Sequence, residues 1–386
     1  MTDSLKAKNR LPSIDILRAL AVLAVFSVHV RGFWLQSLEP GAHGAGFVLD
    51  RLSAQGSAGV DLFVVLSGLC MTLPLVRNRE SGVADIRVGR FYRRRAVRIL
   101  PAYYAALALV VALELVPVIQ RHLVSRPLTL PVVLAHVALV QPLFTSAEGA
   151  VNGPLWSISL EITLYLVFPL LLWWRRRWGW VSLQVMALTL LVVWSAATAA
   201  LNGAASGREV LPTPSHLLPA HLFEFTAGMF AAHLLTHPRP RQSLVGLLTF
   251  LAGAPIGALG TVADHDFLRI AGWGAAAAGL TVWFCSRSGK ATSVGWQAAA
   301  RLGVVSYSFY LLHQPFLLLT QTLARQVTRQ PVPLYLLAAT VALPAAAGLA
   351  YAFFQGVERP FLVAGGMRDA VVTDELTLVR SLPERP

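Results

Sequence analysis

Arg18 and His29 stand eleven residues apart inside a single apolar stretch. At about 100° per residue, eleven steps return a helix to nearly the same face, with about 16 Å between the two along the axis. A neutral imidazole held away from water can take a proton from a hydroxyl, whereas a guanidinium suits phosphate. A snorkelling arginine and a histidine satisfied by a neighbouring helix would place the same two residues there. A second group follows Trp156: Ser157, Glu161 and Tyr165 recur every four residues and so share a helical face. A carboxylate at the depth of His29 could orient the imidazole and stabilise its protonated form. A buried ion pair between two helices is the structural counterpart. In a third run, Ser306, Tyr310 and His313 fall on one face next to Tyr307, where interhelical hydrogen bonds explain them as well as chemistry does. Asp61 precedes Ser67 and Gly68, read as close-packing residues because no G-x-S-x-G elbow surrounds Ser67. The run 90–98 holds Arg90, Arg93, Arg94, Arg95 and Arg98, which can set orientation, touch anionic lipid or grip phosphate. No His-Glu-x-x-His, phosphate loop or dinucleotide-binding glycine pattern occurs. Cys70 and Cys285 form neither a ligand spacing nor a disulfide framework, so no metal is expected. Gly253 and Gly257 read as helix packing.

The elements that must position these residues are set by a bilayer. Of 386 residues, 55% are hydrophobic and 13% charged, about half the charge of an average soluble domain. A membrane core takes about 20 mostly apolar residues per helix. Ten segments qualify, near 12–34, 58–76, 99–119, 154–174, 181–201, 217–235, 243–261, 267–285, 303–323 and 334–356. The first and sixth carry ionisable residues. The stretch 128–144 holds Pro131, His136 and Pro142 and reads as interfacial or re-entrant. The basic N-terminus resembles a signal peptide, but Arg18, His29 and the want of a small-residue cleavage site favour a retained helix.

Charge placement orients the bundle. With the N-terminus in the cytoplasm, twenty-three of the 32 Lys and Arg residues fall on cytoplasmic segments, as the positive-inside rule requires. The same asymmetry accounts for the net charge of +13 without nucleic acid. The expected fold is an all-α polytopic membrane protein, a bundle of about ten transmembrane helices with both termini cytoplasmic. It divides into an N-terminus 1–11, a membrane domain 12–362, and a short cytoplasmic tail 363–386 expected to be disordered.

Together these pieces resemble the acyltransferase-3 family of membrane O-acyltransferases. Arg18-x10-His29 is similar to its R-x10-H signature, and Gly59 to Phe63 with Leu66-Ser67-Gly68 to its second-helix motif. Arg95-x-x-Arg98 before Pro101 resembles its R-x-x-R element, and Trp156-Ser157-Ile158-Ser159-Leu160-Glu161 its W-S-L-S-x-E motif. Residues 306–315 and Glu358-Arg359-Pro360-Phe361 resemble its C-terminal motifs. The six stand in family order over about 12–362. One departure is Ile162, where the family usually has a second carboxylate; Glu161 remains available.

The resemblance implies transfer of an acyl group, commonly acetyl, from cytoplasmic acyl-CoA to carbohydrate hydroxyls, with acyl-CoA a co-substrate and no permanently bound cofactor. The acceptor would be a surface polysaccharide, its lipid-linked precursor, or a glycosylated natural product such as a macrolide. His29 is the expected general base, with Glu161 at its depth, Arg18 on the donor's path toward it, and Arg95 and Arg98 anchoring the CoA phosphates. Asp61, Ser67, Trp156, Ser157, Tyr165, Ser306, Tyr307, Tyr310, His313 and Glu358 are the expected supporting residues. The rival from another class is a transporter of a small polar or anionic substrate, which inverted repeats would favour; none is visible. The expected location is the cell membrane, and the expected partners are the acyl-CoA donor, the carbohydrate or glycosylated small-molecule acceptor and membrane lipid, with no nucleic acid and the oligomeric state left open.

Overall fold

The computed structural model describes residues 12–35, 43–77, 87–116, 119, 123–124, 126–204, 213–287 and 293–365. Among them every regular element is helical. The expected N-terminus 1–11, and the expected tail beyond residue 365, lie outside the described residues.

Helix α1 (Pro12–Val30) starts on a proline, whose missing N–H costs nothing in a first helical turn. A π-helical turn, Arg31–Leu35, extends it. A short α2 (Ala45–Ala54) and a tight 3₁₀ turn lead into α3 (Ala58–Arg77). Helix α4 (Val88–Glu114) differs from the expected 99–119. The arginine run, expected as a loop, is itself helical, in keeping with the good helix propensity of Arg and Ala. Arg95 and Arg98 therefore lie one turn apart on a helix. The far end stops early, where Glu114 accepts a hydrogen bond from the Leu123 backbone N–H at 3.3 Å. The interrupted stretch 128–144 forms only the short α5 (Leu130–Val137) and a 3₁₀ turn, Gln141–Leu143.

Helix α6 (Trp156–Ala204) is two helices meeting at Gly179, whose φ of 84° suits glycine. There follow α7 (Leu218–Thr236), α8 (Gln242–Val262) and α9 (Asp266–Arg287). Next come α10 (Val294–Val304) and α11 (Ser306–Val327), bent by 78° at their junction. The last run joins α12 (Pro331–Leu337), α13 (Leu343–Phe353) and α14 (Arg359–Ala364) through two π turns.

Among the described residues, seven runs are long and apolar enough to cross a membrane, or eight if the bent pair counts as one span. The expectation of ten exceeds this for two reasons. The run 153–201 counts once although Gly179 divides it, and α7 is not among the seven because His221, Glu224 and His233 interrupt its apolar character. Exposed apolar side chains recur at helical spacing on α6 (Val181, Val185, Leu188, Val192) and α8 (Leu244, Leu248, Leu251). Such stripes belong against lipid rather than water. The chain is a multi-pass helical membrane protein.

Lipid is as apolar as a leucine side chain, so close packing rather than water exclusion holds such helices together. A Cβ on Gly68 would lie 2.0 Å from the Phe225 carbonyl oxygen, and one on Gly228 1.9 Å from that of Val65. Backbones of α3 and α7 therefore touch, which fits the packing role expected for Gly68. Gly253 and Gly257 do the same between α8 and α9, where a Cβ on either would meet the neighbouring helix at 2.7 Å. The main buried core runs through α1, α4, α6 and α11, and includes the buried rings of Phe26, Tyr103, Phe168 and Phe309.

Candidate active site

Two of the cavities among these helices meet at Val60 and Tyr310, which line both. The first, about 270 Å³, is lined by Arg18, Arg95 and Arg98 together with Ser67, Ser157, Glu161, Tyr165, Ser306 and Tyr307. The second, about 420 Å³, is lined by His29 with Ser57, Asp61, Glu148, Trp156, His216, His221 and Arg269. Arg18 and His29 thus face different chambers from two levels of α1.

In the arginine-lined chamber, the face read as Ser157, Glu161 and Tyr165 does line a single space. The Tyr165 hydroxyl donates to the Glu161 carboxylate and accepts from Ser67 at 3.3 Å. The Arg95 guanidinium lies 5.8 Å from the centres of both the Tyr165 and Phe91 rings, within cation–π range. Its buried Nε finds no hydrogen-bond partner among the described residues. Arg18 pairs with Asp15 at 3.3 Å and reaches the Cys70 sulfur at 3.3 Å. Tyr307 donates to the Ile99 carbonyl at 2.9 Å, fixing α11 against α4. Ser308 donates to the buried Glu358 carboxylate at 2.7 Å, which ties α11 to the π turn before α14.

His29 is held by an interaction that helical spacing did not reveal. Its Nδ1 lies 2.8 Å from the Val25 carbonyl oxygen and 3.2 Å from Nε2 of His313. His313 in turn sets its Nδ1 2.7 Å from the Tyr310 carbonyl oxygen. A carbonyl can only accept, so each Nδ1 holds the proton. The His313 Nε2 is then a lone pair that shares the His29 Nδ1–H. His29 is left with an unprotonated Nε2, the nitrogen that can act as a base. Phe33 stacks on the His29 ring and Phe309 on the His313 ring, which limits rotation of both. The neighbour of His29 is therefore His313. Glu161, expected beside it, is engaged with Tyr165 in the other chamber.

Between the chambers, Tyr310 accepts from Ser157 at 2.8 Å, and both hydroxyls lie within hydrogen-bonding distance of the Pro154 carbonyl. Beyond them Trp156 stacks on His216 with ring centres 3.8 Å apart and planes 10° from parallel. His216 donates to Glu148, which also accepts from the Thr213 backbone N–H at 3.1 Å and its hydroxyl at 2.9 Å. Burial works against the Glu148 carboxylate, but these donors hold it below the usual carboxylate range. Asp61 lines the same chamber, 1% exposed, close to His221 and Glu224 of α7.

Sequence reading missed Glu148, His216, His221, Glu224 and Arg269. The spacing His221-x-x-Glu224 within an apolar run was a usable signal. Glu148, His216 and Arg269 come from separate loops and a helix end, which no periodicity connects.

The sequence model of the family described as acyltransferase domain, Acyl_transf_3, matches residues 11–351. Acyltransferase MdmB of Streptomyces mycarofaciens is 27% identical over 322 residues, covering 79% of this chain and 78% of that one. Peptidoglycan O-acetyltransferase OatA of Listeria monocytogenes is 28% identical over 178 residues, 45% of this chain and 26% of that protein. Exopolysaccharide production protein ExoZ of Rhizobium meliloti is 28% identical over 265 residues, 67% and 75% respectively. The chain thus spans most of MdmB and ExoZ but about a quarter of OatA. No solved structure matches it.

Proposed function

The chain belongs to the Acyl_transf_3 acyltransferase family, and from that premise we propose that it transfers an acyl group, acetyl foremost, from acyl-CoA to a carbohydrate hydroxyl. The acceptor would be a surface polysaccharide, its lipid-linked precursor, or the sugar of a glycosylated natural product such as a macrolide. The observation that carries this reading is an unprotonated histidine nitrogen in one chamber that adjoins an arginine-lined chamber across Val60 and Tyr310.

In this reading the donor occupies the arginine-lined chamber, with CoA phosphates on Arg95 and Arg98 and the thioester directed toward Tyr310. Three guanidiniums around one cavity suit a polyanion, since each can form forked hydrogen bonds to phosphate. The acceptor hydroxyl enters the second chamber, where the Trp156 indole offers an apolar surface to a sugar ring. His29 Nε2 takes the hydroxyl proton as the oxygen attacks the thioester carbonyl carbon. The carbon–sulfur bond breaks, the ester forms, and the imidazolium returns its proton to the departing CoA thiolate. His313 acts by position: its Nε2 accepts the His29 Nδ1–H, keeps the tautomer, and stabilises the imidazolium while it exists. OatA and ExoZ, by their names a peptidoglycan O-acetyltransferase and an exopolysaccharide production protein, support a carbohydrate acceptor.

The test is purified protein in detergent with acetyl-labelled acetyl-CoA and sugar acceptors, reading free CoA thiol and labelled ester together. Both should rise in step. Substrate uptake by vesicles without any acyl transfer would favour the transporter instead.

A further inference from the structure

Asp61, His221 and Glu224 converge where α3 packs on α7, and the proposed acyl transfer leaves all three unused. Each offers a ligand atom, and those atoms lie within 4.8 Å of one another. The residues are 1%, 1% and 0% exposed. His221 Nε2 lies 2.7 Å from the Ser215 carbonyl oxygen, an acceptor only, so that nitrogen bears the proton. In the neutral imidazole the opposite nitrogen, Nδ1, is then a lone pair, yet it faces a Glu224 carboxylate oxygen at 2.8 Å. Two lone pairs at that distance need a cation between or beside them. Both Asp61 oxygens and the second Glu224 oxygen also find no donor among the described residues.

We propose that Asp61, His221 and Glu224 bind a divalent metal ion of the zinc class. Nitrogen and carboxylate oxygen are ordinary zinc donors, and three protein ligands with one open position is the count of an accessible zinc site. Asp61 and His221 both line the chamber that holds His29, so the open position faces that space. The charge fits as well. Arg269, which lines the same chamber, is committed to Asp266 at 2.7 Å. Three carboxylates and one guanidinium leave two negative charges uncompensated, the charge of one divalent ion. The site is also held rigid. His221 and Glu224 are one turn apart on α7, the i, i+3 arrangement that helical bundles use to hold metals. Gly274 of α9 presses on Glu224, since a Cβ there would come within 2.6 Å of the Glu224 Cγ. Such an ion would join α3 to α7, whose backbones already touch through Gly68 and Gly228.

The competing occupant is a proton, shared between the two carboxylates or held between Glu224 and His221 Nδ1. Full-length protein without a polyhistidine tag, purified in chelator-free detergent, separates the two by elemental analysis. About one zinc-class ion per chain is expected, removed by prolonged chelation with a fall in melting temperature and restored by zinc. Cobalt in its place should give visible ligand-field absorption, in wild type and in His29→Ala alike. Glu224→Gln and Asp61→Asn, which keep shape, should lose the ion. Wild-type protein that takes up neither zinc nor cobalt, or a Glu224→Gln variant that binds them equally, would overturn the site and leave the shared proton. The metal content is read without acyl donor, so it is independent of whether acyl transfer is observed.

Discussion

Replacing His313 tests the proposed role of the contact between His29 and His313. His313→Ala removes the acceptor 3.2 Å from the His29 Nδ1 and leaves the Val25 carbonyl in place. What is lost is a hydrogen bond to a group that becomes cationic only as the hydroxyl proton arrives. Hydrogen bonds to charged groups contribute about 1.5–3 kcal/mol, and each 1.36 kcal/mol on a barrier is tenfold in rate. The expected fall in kcat is therefore about 10- to 150-fold. The KM for acyl-CoA should hold, because Arg95 and Arg98 line the other chamber. His313→Gln, which offers an amide oxygen to the same N–H, should recover part of the loss. Initial rates of CoA release against acetyl-CoA concentration give both constants. A His313→Ala protein with wild-type kcat, or one whose loss lies wholly in KM, would refute the positioning role.

Other expectations follow from the same geometry. Arg95→Ala with Arg98→Ala should raise the KM for acyl-CoA by about tenfold or more, losing up to two charge-assisted phosphate contacts; an unchanged KM would assign the run to orientation or lipid contact. Glu161→Gln should lower activity by loosening Tyr165 and Ser67, while the acidic limb of kcat/KM against pH stays in place. A shifted limb would mean that the carboxylate is coupled to His29 after all. Glu148 contributes stability that is fully present above the ordinary carboxylate pKa and is lost as pH falls through its lower folded value. Thermal unfolding of Glu148→Gln from pH 7 to about pH 3 should therefore decline less steeply in acid than wild type; parallel curves would exclude Glu148 as a source of that loss.

The helical membrane fold was legible because about 20 apolar residues per span and the placement of arginine are written along the chain. Boundaries were less so: the Arg90–Arg98 run looks like a loop by charge but is helical, and Gly179 hides a break within α6. Helical spacing grouped Ser157, Glu161 and Tyr165 correctly, since a face is a local property. It could not say which helix that face meets. Glu161 and His29 were therefore paired by equal depth, whereas the fold gives His29 to His313, 284 residues away. The Glu148–His216 pair, and the meeting of Asp61 with the His221-x-x-Glu224 run, were invisible for the same reason. Each is assembled by the approach of distant segments, with Gly68 and Gly228 permitting one of those approaches.

Turnover by His29→Ala tests the central claim most directly. Wild type and variant are purified in the same detergent, matched for melting temperature and acetyl-CoA binding, and assayed for transfer of labelled acetyl to a sugar acceptor. General-base catalysis by this histidine predicts that donor binding persists while ester formation falls about 100- to 10,000-fold. Ester formation near the wild-type rate, in variant protein that is folded and binds donor, would contradict it.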